Sequence, residues 1–296
     1  MTDYINQKPI AILLGVYNAQ KYIATQIDSI LNQTNTDWTL YVRDDASNDG
    51  TLDILKNYAK MHTNIILCHD DDGNLGCNGN YYRLLSIVSS QYYMFCNADD
   101  FWLNFKIKAS YDYFQNIEKS IVKQPIIVHT DLSISDEKLK ITTNSYWEET
   151  NTNPENFKTF NKLGICSVVA GATMFFNNEV KAITFPVHKD GPFFDQWMAL
   201  QVSKKGKIFT IHEPTIVYRQ IGTNLAAVAK PENDTLFYKI KNLSKIVEIN
   251  KKEAAMLKKI GWGGRAKYIY YKAIVLFSLR FGKKYHQINY KKFSSL

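Results

Sequence analysis

The sequence predicts an α/β fold, a mainly parallel sheet flanked by helices, with a basic helical appendage at its C-terminal end. Three observations predict it. Short apolar runs alternate with stretches of helical periodicity through the first third of the chain. Polar clusters stand at the C-terminal ends of three of those runs. The positive charge is concentrated in the last fifth of the chain.

Ile10–Val16 (IAILLGV) is a continuous apolar run, as expected of a strand buried on both faces. Tyr17, Asn18 and Ala19 form a turn. From Tyr22 to Leu31 the apolar residues fall at 23, 27, 30 and 31, a helical spacing. Trp38–Val42 is a second strand, ending in Arg43, Asp44 and Asp45. The turn Ser47-Asn48-Asp49-Gly50 leads into a helix opened by Thr51, with apolar positions 52, 54, 55 and 58. Asn64–Cys68 is a third strand. Asn74-Leu75-Gly76 is a turn before a helix over about 78–88. Tyr92–Cys96 is a fourth strand, and Asn97-Ala98-Asp99-Asp100-Phe101-Trp102 follows it. Strands alternating with helices argue for βαβ units, in which ligands sit at the C-terminal strand ends. Those ends carry Tyr17-Asn18, Asp44-Asp45 and Asp99-Asp100.

The second half is less regular. Strands are expected over Gln124–His129, Ser167–Phe176, Lys207–Ile211 and Thr215–Tyr218. A helix is expected over Phe193–Val202 with Asp195 in its first turn, where the helix dipole favours an acid. Residues 223–235 make a connector, and His188 reads as a loop residue.

Composition bounds the function. The chain has 296 residues, 45% hydrophobic and 22% charged, ordinary for a globular protein. Its four cysteines, Cys68, Cys77, Cys96 and Cys166, form no CxxC pair, which argues against a zinc cluster or disulfide scaffold. A reducing, cytoplasmic setting is expected. No signal-peptide pattern opens the chain, and no apolar stretch reaches the roughly 20 residues that span a bilayer.

Two adjacent carboxylates beside a low-dielectric core need compensation. A divalent cation carrying a diphosphate supplies it, because Mg²⁺ and Mn²⁺ take oxygen ligands, often one or two carboxylates plus phosphates. A solvated Asp-Asp turn is the plainer alternative.

Taken in order, the motifs resemble those of the family 2 inverting glycosyltransferases, especially the bacterial rhamnosyltransferase-like branch with its GT-A, Rossmann-like fold. The matching pieces are Val16-Tyr17-Asn18, the helix from Gln26 to Thr34, Arg43-Asp44-Asp45-Ala46-Ser47 with Asp49-Gly50-Thr51, Asn74-Leu75-Gly76, Asn97 to Trp102, Gly171-Ala172, Asp195-Gln196-Trp197, and Tyr218-Arg219-Gln220. They run from about Ile10 to Asn224.

The resemblance implies a catalytic domain over 1–230, with a nucleotide-binding half over about 1–105 and an acceptor half over 106–230. It implies a nucleotide-sugar donor (a UDP- or dTDP-sugar), a glycan or lipid-linked acceptor, Mn²⁺ or Mg²⁺, and single displacement in surface polysaccharide synthesis. By position, Gly15, Tyr17 and Asn18 line the nucleoside, Asp45 bonds the base with Asp44 beside it, and Asn80 and Asn97 contribute to the nucleotide site. Asp99 matches the closing acid of the family's DxD element, and Asp99 and Asp100 are the expected metal ligands. The sequence departs from the family at Asn97, where the element's first Asp stands, and at Ile221, often His in this branch.

The chemistry is consistent with these roles. A departing diphosphate gains negative charge, which a cation stabilises. An acceptor hydroxyl needs a general base on the opposite face of the sugar. Asp195, far along the chain from Asp99, matches that base. Arg219 is a candidate diphosphate clamp, with a surface ion pair as the alternative. Trp102 and Trp197 either flank the site or belong to the core.

The tail, 231–296, stands apart. Residues 236–296 hold 15 Lys+Arg against two Glu, a net of +13, and leave the rest of the chain at −5. Such asymmetry suits a helix lying on an anionic membrane, which would make the protein peripheral to the inner face of the cell membrane. A hairpin packed on the catalytic domain with a solvated basic face is the alternative. No motif supports nucleic-acid binding. Two rival functions remain: a sugar-nucleotide synthesising enzyme, and an inactive nucleotide-sugar-binding or membrane scaffold protein.

Overall fold

The structure is a computed structural model, and it describes residues 4–5, 7–187, 193–221 and 243–281. The expected connector 223–235, the tail boundary at 231 and His188 lie outside the described residues. The strands are β1 (Tyr4–Ile5), β2 (Ile10–Val16), β3 (Trp38–Asp44), β4 (Ile65–Leu67), β5 (Val88–Ser89), β6 (Tyr92–Cys96), β7 (Phe101–Trp102), β8 (Ile126–Ser135), β9 (Ile141–Thr143), β10 (Met174–Asn177) and β11 (Lys207–Arg219). The helices are α1 (Ile23–Leu31), α2 (Thr51–Met61), α3 (Gly76–Ile87), α4 (Lys106–Glu118), α5 (Tyr146–Glu149), α6 (Phe160–Leu163), α7 (Asn178–Thr184), α8 (Phe194–Lys205), α9 (Leu243–Lys259) and α10 (Arg265–Phe281).

The main sheet runs β4-β3-β2-β6-β10-β8-β11-β7, with β9 against β8. Parallel pairing joins β4, β3, β2 and β6, as expected of βαβ units. The continuous apolar runs follow from burial on both faces. Along β2, Ile10, Ile12 and Leu14 join one core with α1, α2 and α4. Ala11 and Leu13 join the other, with α3 and α8. Alternate side chains point to opposite faces, so a strand covered on both sides carries no polar stripe.

The chain moves outward from β2 to β3 and β4 and then returns to β6 on the far side of β2. The crevice above the β2/β6 boundary is therefore a topological switch point, where open α/β sheets bind ligands. The strand β10 runs antiparallel to both β6 and β8, while β11 runs parallel to β8. One reversed strand thus brings the turn before β10 beside the end of β6. It also leaves the C-terminal ends of β8 and β11 on the same edge as those of β2, β3 and β6.

Three strand expectations change. The expected strand Gln124–His129 runs instead over Ile126–Ser135. The expected strand Ser167–Phe176 contracts to Met174–Asn177, because Gly171–Thr173 is a 3-10 turn in which the Thr173 hydroxyl and N–H both donate to the Ala170 carbonyl. The expected pair Lys207–Ile211 and Thr215–Tyr218 is one strand of 13 residues. Register shifts on either side of Pro214 absorb the proline, which has no N–H for the ladder.

The tail helices pack against the body. Ala254, Met256, Leu257, Trp262 and Tyr268 are buried in the same core as α8. The Trp262 indole N–H donates to the Asn161 carbonyl (2.8 Å), and Lys204 at the end of α8 donates to the Ile260 carbonyl.

The turn from α8 into β11 depends on Gly206, whose backbone is not in the left-handed region; space is what it needs. A Cβ there would stand 1.9 Å from the Pro125 carbonyl oxygen, which accepts the Lys207 N–H. Gly206→Ala forces that backbone apart and is expected to lower stability by about 2 kcal/mol, read from the urea midpoint.

Candidate active site

The loops after β2 and β3 are locked to each other. Asn18, in the left-handed region at φ 48°, donates its N–H to the Ser47 hydroxyl (2.8 Å) and accepts the Asn48 N–H on its side chain (2.9 Å). Ala19 N–H donates to the Thr51 hydroxyl (2.8 Å), and Asp45 N–H to the Val16 carbonyl (2.8 Å). The Asp44 carboxylate is absorbed locally, accepting the N–H (3.0 Å) and hydroxyl (2.6 Å) of Ser47. Tyr17 stands out from this frame, 52% exposed.

Asp45 is buried beneath it, with both oxygens engaged. Oδ1 accepts from Arg43 (2.6 Å) and the Leu75 N–H (2.8 Å), and Oδ2 accepts the Gly76 N–H (2.8 Å). The Asn74 side chain donates to the Asp45 carbonyl (2.9 Å). The motif Asn74-Leu75-Gly76 is thus the turn that closes over Asp45. Arg43, 2% exposed, also donates twice to Asp70 (2.9 Å each), to Asn80 (3.1 Å) and to the Gly73 carbonyl (2.9 Å). Arg43 and Arg83 hold the Asp70 carboxyl well below the usual carboxylate range. Asn80 packs so closely on β2 that a Cβ on Gly15 would lie 3.0 Å from its amide nitrogen. That contact accounts for Gly15.

The acids after β6 are joined by short-range bonds. Asp100 is fully buried, and its oxygens accept from the Asn97 amide (2.9 Å) and the Arg219 N–H (3.3 Å). Asn97 in turn accepts from the Tyr81 hydroxyl (3.0 Å). Burial pushes the Asp99 and Asp100 carboxyls up, and the neighbouring Asp99 charge adds to the rise at Asp100. Arg219 donates to the Asp99 carbonyl (2.8 Å) and the Glu137 carbonyl (2.8 Å), and its guanidinium lies 4.9 Å from the centre of the Tyr22 ring. It ties the end of β11 to the acidic loop.

Asp195 sits in the first turn of α8. Its oxygens accept the Gly171 N–H (2.9 Å) and the Gln196 N–H (2.7 Å), while burial pushes its carboxyl up. The turn brought in by the reversed β10 therefore holds Asp195. Trp102 and Trp197 are core residues: Trp102 is fully buried, and the Trp197 indole donates to the Thr184 carbonyl (2.8 Å).

One residue reports on the whole arrangement. Cys77, in the first turn of α3, is solvent-exposed. Its thiol is still pushed up to about 11, first by surrounding protein and then by the charges of Asp195, Asp45 and Asp99. Acids from three distant segments act on that one thiol.

The sequence reading missed α3 as the organiser. Its first turn carries Cys77, its Asn78 side chain accepts the Phe194 N–H (3.1 Å), and the Tyr81 ring packs tilted against Phe194 with ring centres 4.4 Å apart. It missed Arg43 as the hub as well. The motif Asn74-Leu75-Gly76 marked the position, but nothing in the sequence paired it with Asp45.

Among the described residues, no group of three His, Cys, Asp or Glu side chains could hold a metal ion. Asp100 is fully buried, whereas Asp99 is half-buried and reaches solvent. That donor set fits a Mg²⁺ or Mn²⁺ ion completing its shell with substrate phosphates and water.

Arg43→Met strands the buried Asp45 without its cation and leaves Asp70 to Arg83 alone. It is expected to cost about 4 kcal/mol by denaturant unfolding, the usual scale for breaking a buried ion pair.

Comparison with known proteins places this geometry. The chain is 32% identical over 103 residues to a dTDP-rhamnosyl transferase of Shigella flexneri, covering 33% of this chain and 36% of that protein. It is 29% identical over 110 residues to an Escherichia coli UDP-Glc:α-D-GlcNAc-diphosphoundecaprenol β-1,3-glucosyltransferase, covering 37% and 42%. The matches span less than half the length of either relative. Among solved structures, residues 1–349 of S. aureus TarS in complex with UDP-GlcNAc superpose with a TM-score of 0.57 at 14% identity, covering 94% of this chain and 77% of that one, which establishes a shared GT-A fold. The family model described as glycosyl transferase family 2 matches residues 11–179. The chain belongs to glycosyltransferase family 2.

Proposed function

We propose that the protein is an inverting, metal-dependent glycosyltransferase that moves a hexosyl or rhamnosyl unit from a UDP- or dTDP-sugar to a hydroxyl of a glycan or lipid-linked acceptor in surface polysaccharide synthesis. The observation that carries this reading is the meeting on α3 of the segments that bear Asp45, Asp99 and Asp195, through Gly76, Tyr81 and Asn78, at the switch point of the sheet. The names of the relatives, which use a dTDP-sugar and a UDP-sugar, support the donor class.

In this reading, the nucleoside lies over the locked loops of Gly15, Tyr17, Asn18, Asp44 and Asp45. The exposed Tyr17 ring offers a face to the base. Asn80 and Arg43 hold that floor from below. Asn97 and Asp99 face the ribose and diphosphate, and Asp99 is the principal protein ligand of a bound Mn²⁺ or Mg²⁺. When bound, the cation supplies Lewis-acid stabilisation of the departing diphosphate. Asp100 sets the loop geometry through Asn97 and Arg219. Arg219, already spent on backbone carbonyls, acts first as the tether of that loop and adds positive charge beside the diphosphate.

Asp195 takes the proton of the acceptor hydroxyl. That oxygen attacks the anomeric carbon as the bond from this carbon to the diphosphate oxygen breaks on the opposite face, so the configuration inverts. The elevated Asp195 carboxyl suits a base, since a more basic carboxylate gains more driving force for proton transfer. The N–H donors of Gly171 and Gln196 fix its direction.

Two measurements test the reading. Nucleotide release from a panel of donors with Mn²⁺ and candidate acceptors is expected to fall by about 10³-fold in Asp195→Asn. Equal turnover by both proteins removes Asp195 from the chemistry. UDP or dTDP with Mn²⁺ is expected to protect Cys77 from alkylation in both proteins, because Cys77 follows Gly76, whose N–H holds Asp45. Protection without turnover by the wild type would favour the nucleotide-sugar-binding alternative.

A further inference from the structure

The hairpin of α9 and α10 buries one face and turns the other outward. Inward residues of α9, such as Met256 and Leu257, are fully buried against the body, as is Tyr268 of α10. On the opposite side of α9, Lys251, Lys252, Lys258 and Lys259 are exposed, spaced so that they share one face. On α10 the exposed side carries Ile269 and Tyr270, 52% and 55% exposed, one turn beyond the exposed Arg265. Residues 243–281 hold nine Lys+Arg against two Glu. One of those acids, Glu253, is consumed inside the hairpin by Tyr268 and Lys272, and the other, Glu248, pairs with Lys252 (3.1 Å).

A hairpin that exposes cationic side chains on one helix and a large aliphatic and an aromatic residue on the other calls for a partner with both properties. A lipid bilayer with anionic headgroups has them: phosphates for the lysines and an apolar boundary for the rings and methyls. RNA would satisfy the lysines and leave Ile269 in water. No helix among the described residues is long and apolar enough to cross a membrane, so the contact is with the surface. We propose that the outward face of the α9–α10 hairpin docks the protein on an anionic membrane, with Ile269 and Tyr270 entering the headgroup layer and Lys251, Lys252, Lys258 and Lys259 facing lipid phosphates.

The orientation follows from the packing. Trp262 is bonded to Asn161 and Lys204 to Ile260, so the hairpin is fastened to the elements that carry α8. Docking through this face holds the body, net −5 outside residues 236–296, away from the like-charged lipid. The inference concerns a surface and does not depend on the reaction assigned to the cleft.

The test is sedimentation of the full chain with phosphatidylcholine vesicles, with and without about one-third phosphatidylglycerol. Binding is expected only to the anionic vesicles and should weaken as salt rises. Changing all four lysines to Gln should weaken it by about fivefold for each lysine removed. The double variant Ile269→Ser with Tyr270→Ser, at exposed positions, should fold with an unchanged melting temperature and bind about tenfold less tightly. Equal binding to neutral vesicles, or no binding to either, overturns the proposal. Wild-type binding by the double variant also overturns it, since the surface would then be a general polyanion site, which single-stranded RNA would compete for equally well.

Discussion

Arg43 holds a permanent charge in a place with almost no water, and much of the site's shape follows from what surrounds it. Removing an ion from water costs several kcal/mol unless opposite charge and hydrogen bonds replace the solvent. Here Asp45, Asp70, Asn80 and the Gly73 carbonyl take up the guanidinium's donors. Those partners come from the end of β3, the stretch after β4, and α3. Any shift of one element would leave a buried charge with too few partners. The network therefore fixes the turn over Asp45, the start of α3 and, through Asn80, the close approach to Gly15.

From there α3 carries order across the crevice. Its Tyr81 hydroxyl reaches the Cys96 carbonyl (2.8 Å) and the Asn97 side chain, and its first turns pack against Phe194 at the start of α8. One helix thus touches the turn over Asp45, the acidic loop and the segment bearing the proposed base. The Asn at position 97 also gains a physical reason. A second carboxylate there would face the buried Asp100 with like charge, whereas the amide donates to it. The departure from the family pattern is compatible with an intact acidic loop.

The reversed strand β10 has an equally specific role. Because it runs against both of its neighbours, its entry turn, not its exit, lies at the ligand edge. That turn presents the Gly171 N–H to Asp195. The same reversal lets β8 and β11 end on the ligand edge, where Arg219 meets the Asp99 backbone.

Much of the fold was legible in the chain itself. The apolar runs of β2, β3 and β6 and the helical spacing of α1 and α2 are local signals, set by burial on both faces of a sheet and one face of a helix. The polar clusters at strand ends likewise singled out Asp45 and Asp99, and the family resemblance singled out Asp195, without any knowledge of distance. The long β11 was misread as two strands because Pro214 punctuates it locally, while the partner that carries the ladder past the proline is distant in sequence. Which carboxylate faces solvent and which is consumed internally, the role of Arg43 and α3, and the burial of Trp102 and Trp197 were decided only by tertiary structure. Each depends on a partner brought from far along the chain, and a charge or indole reads the same in sequence whether or not that partner arrives.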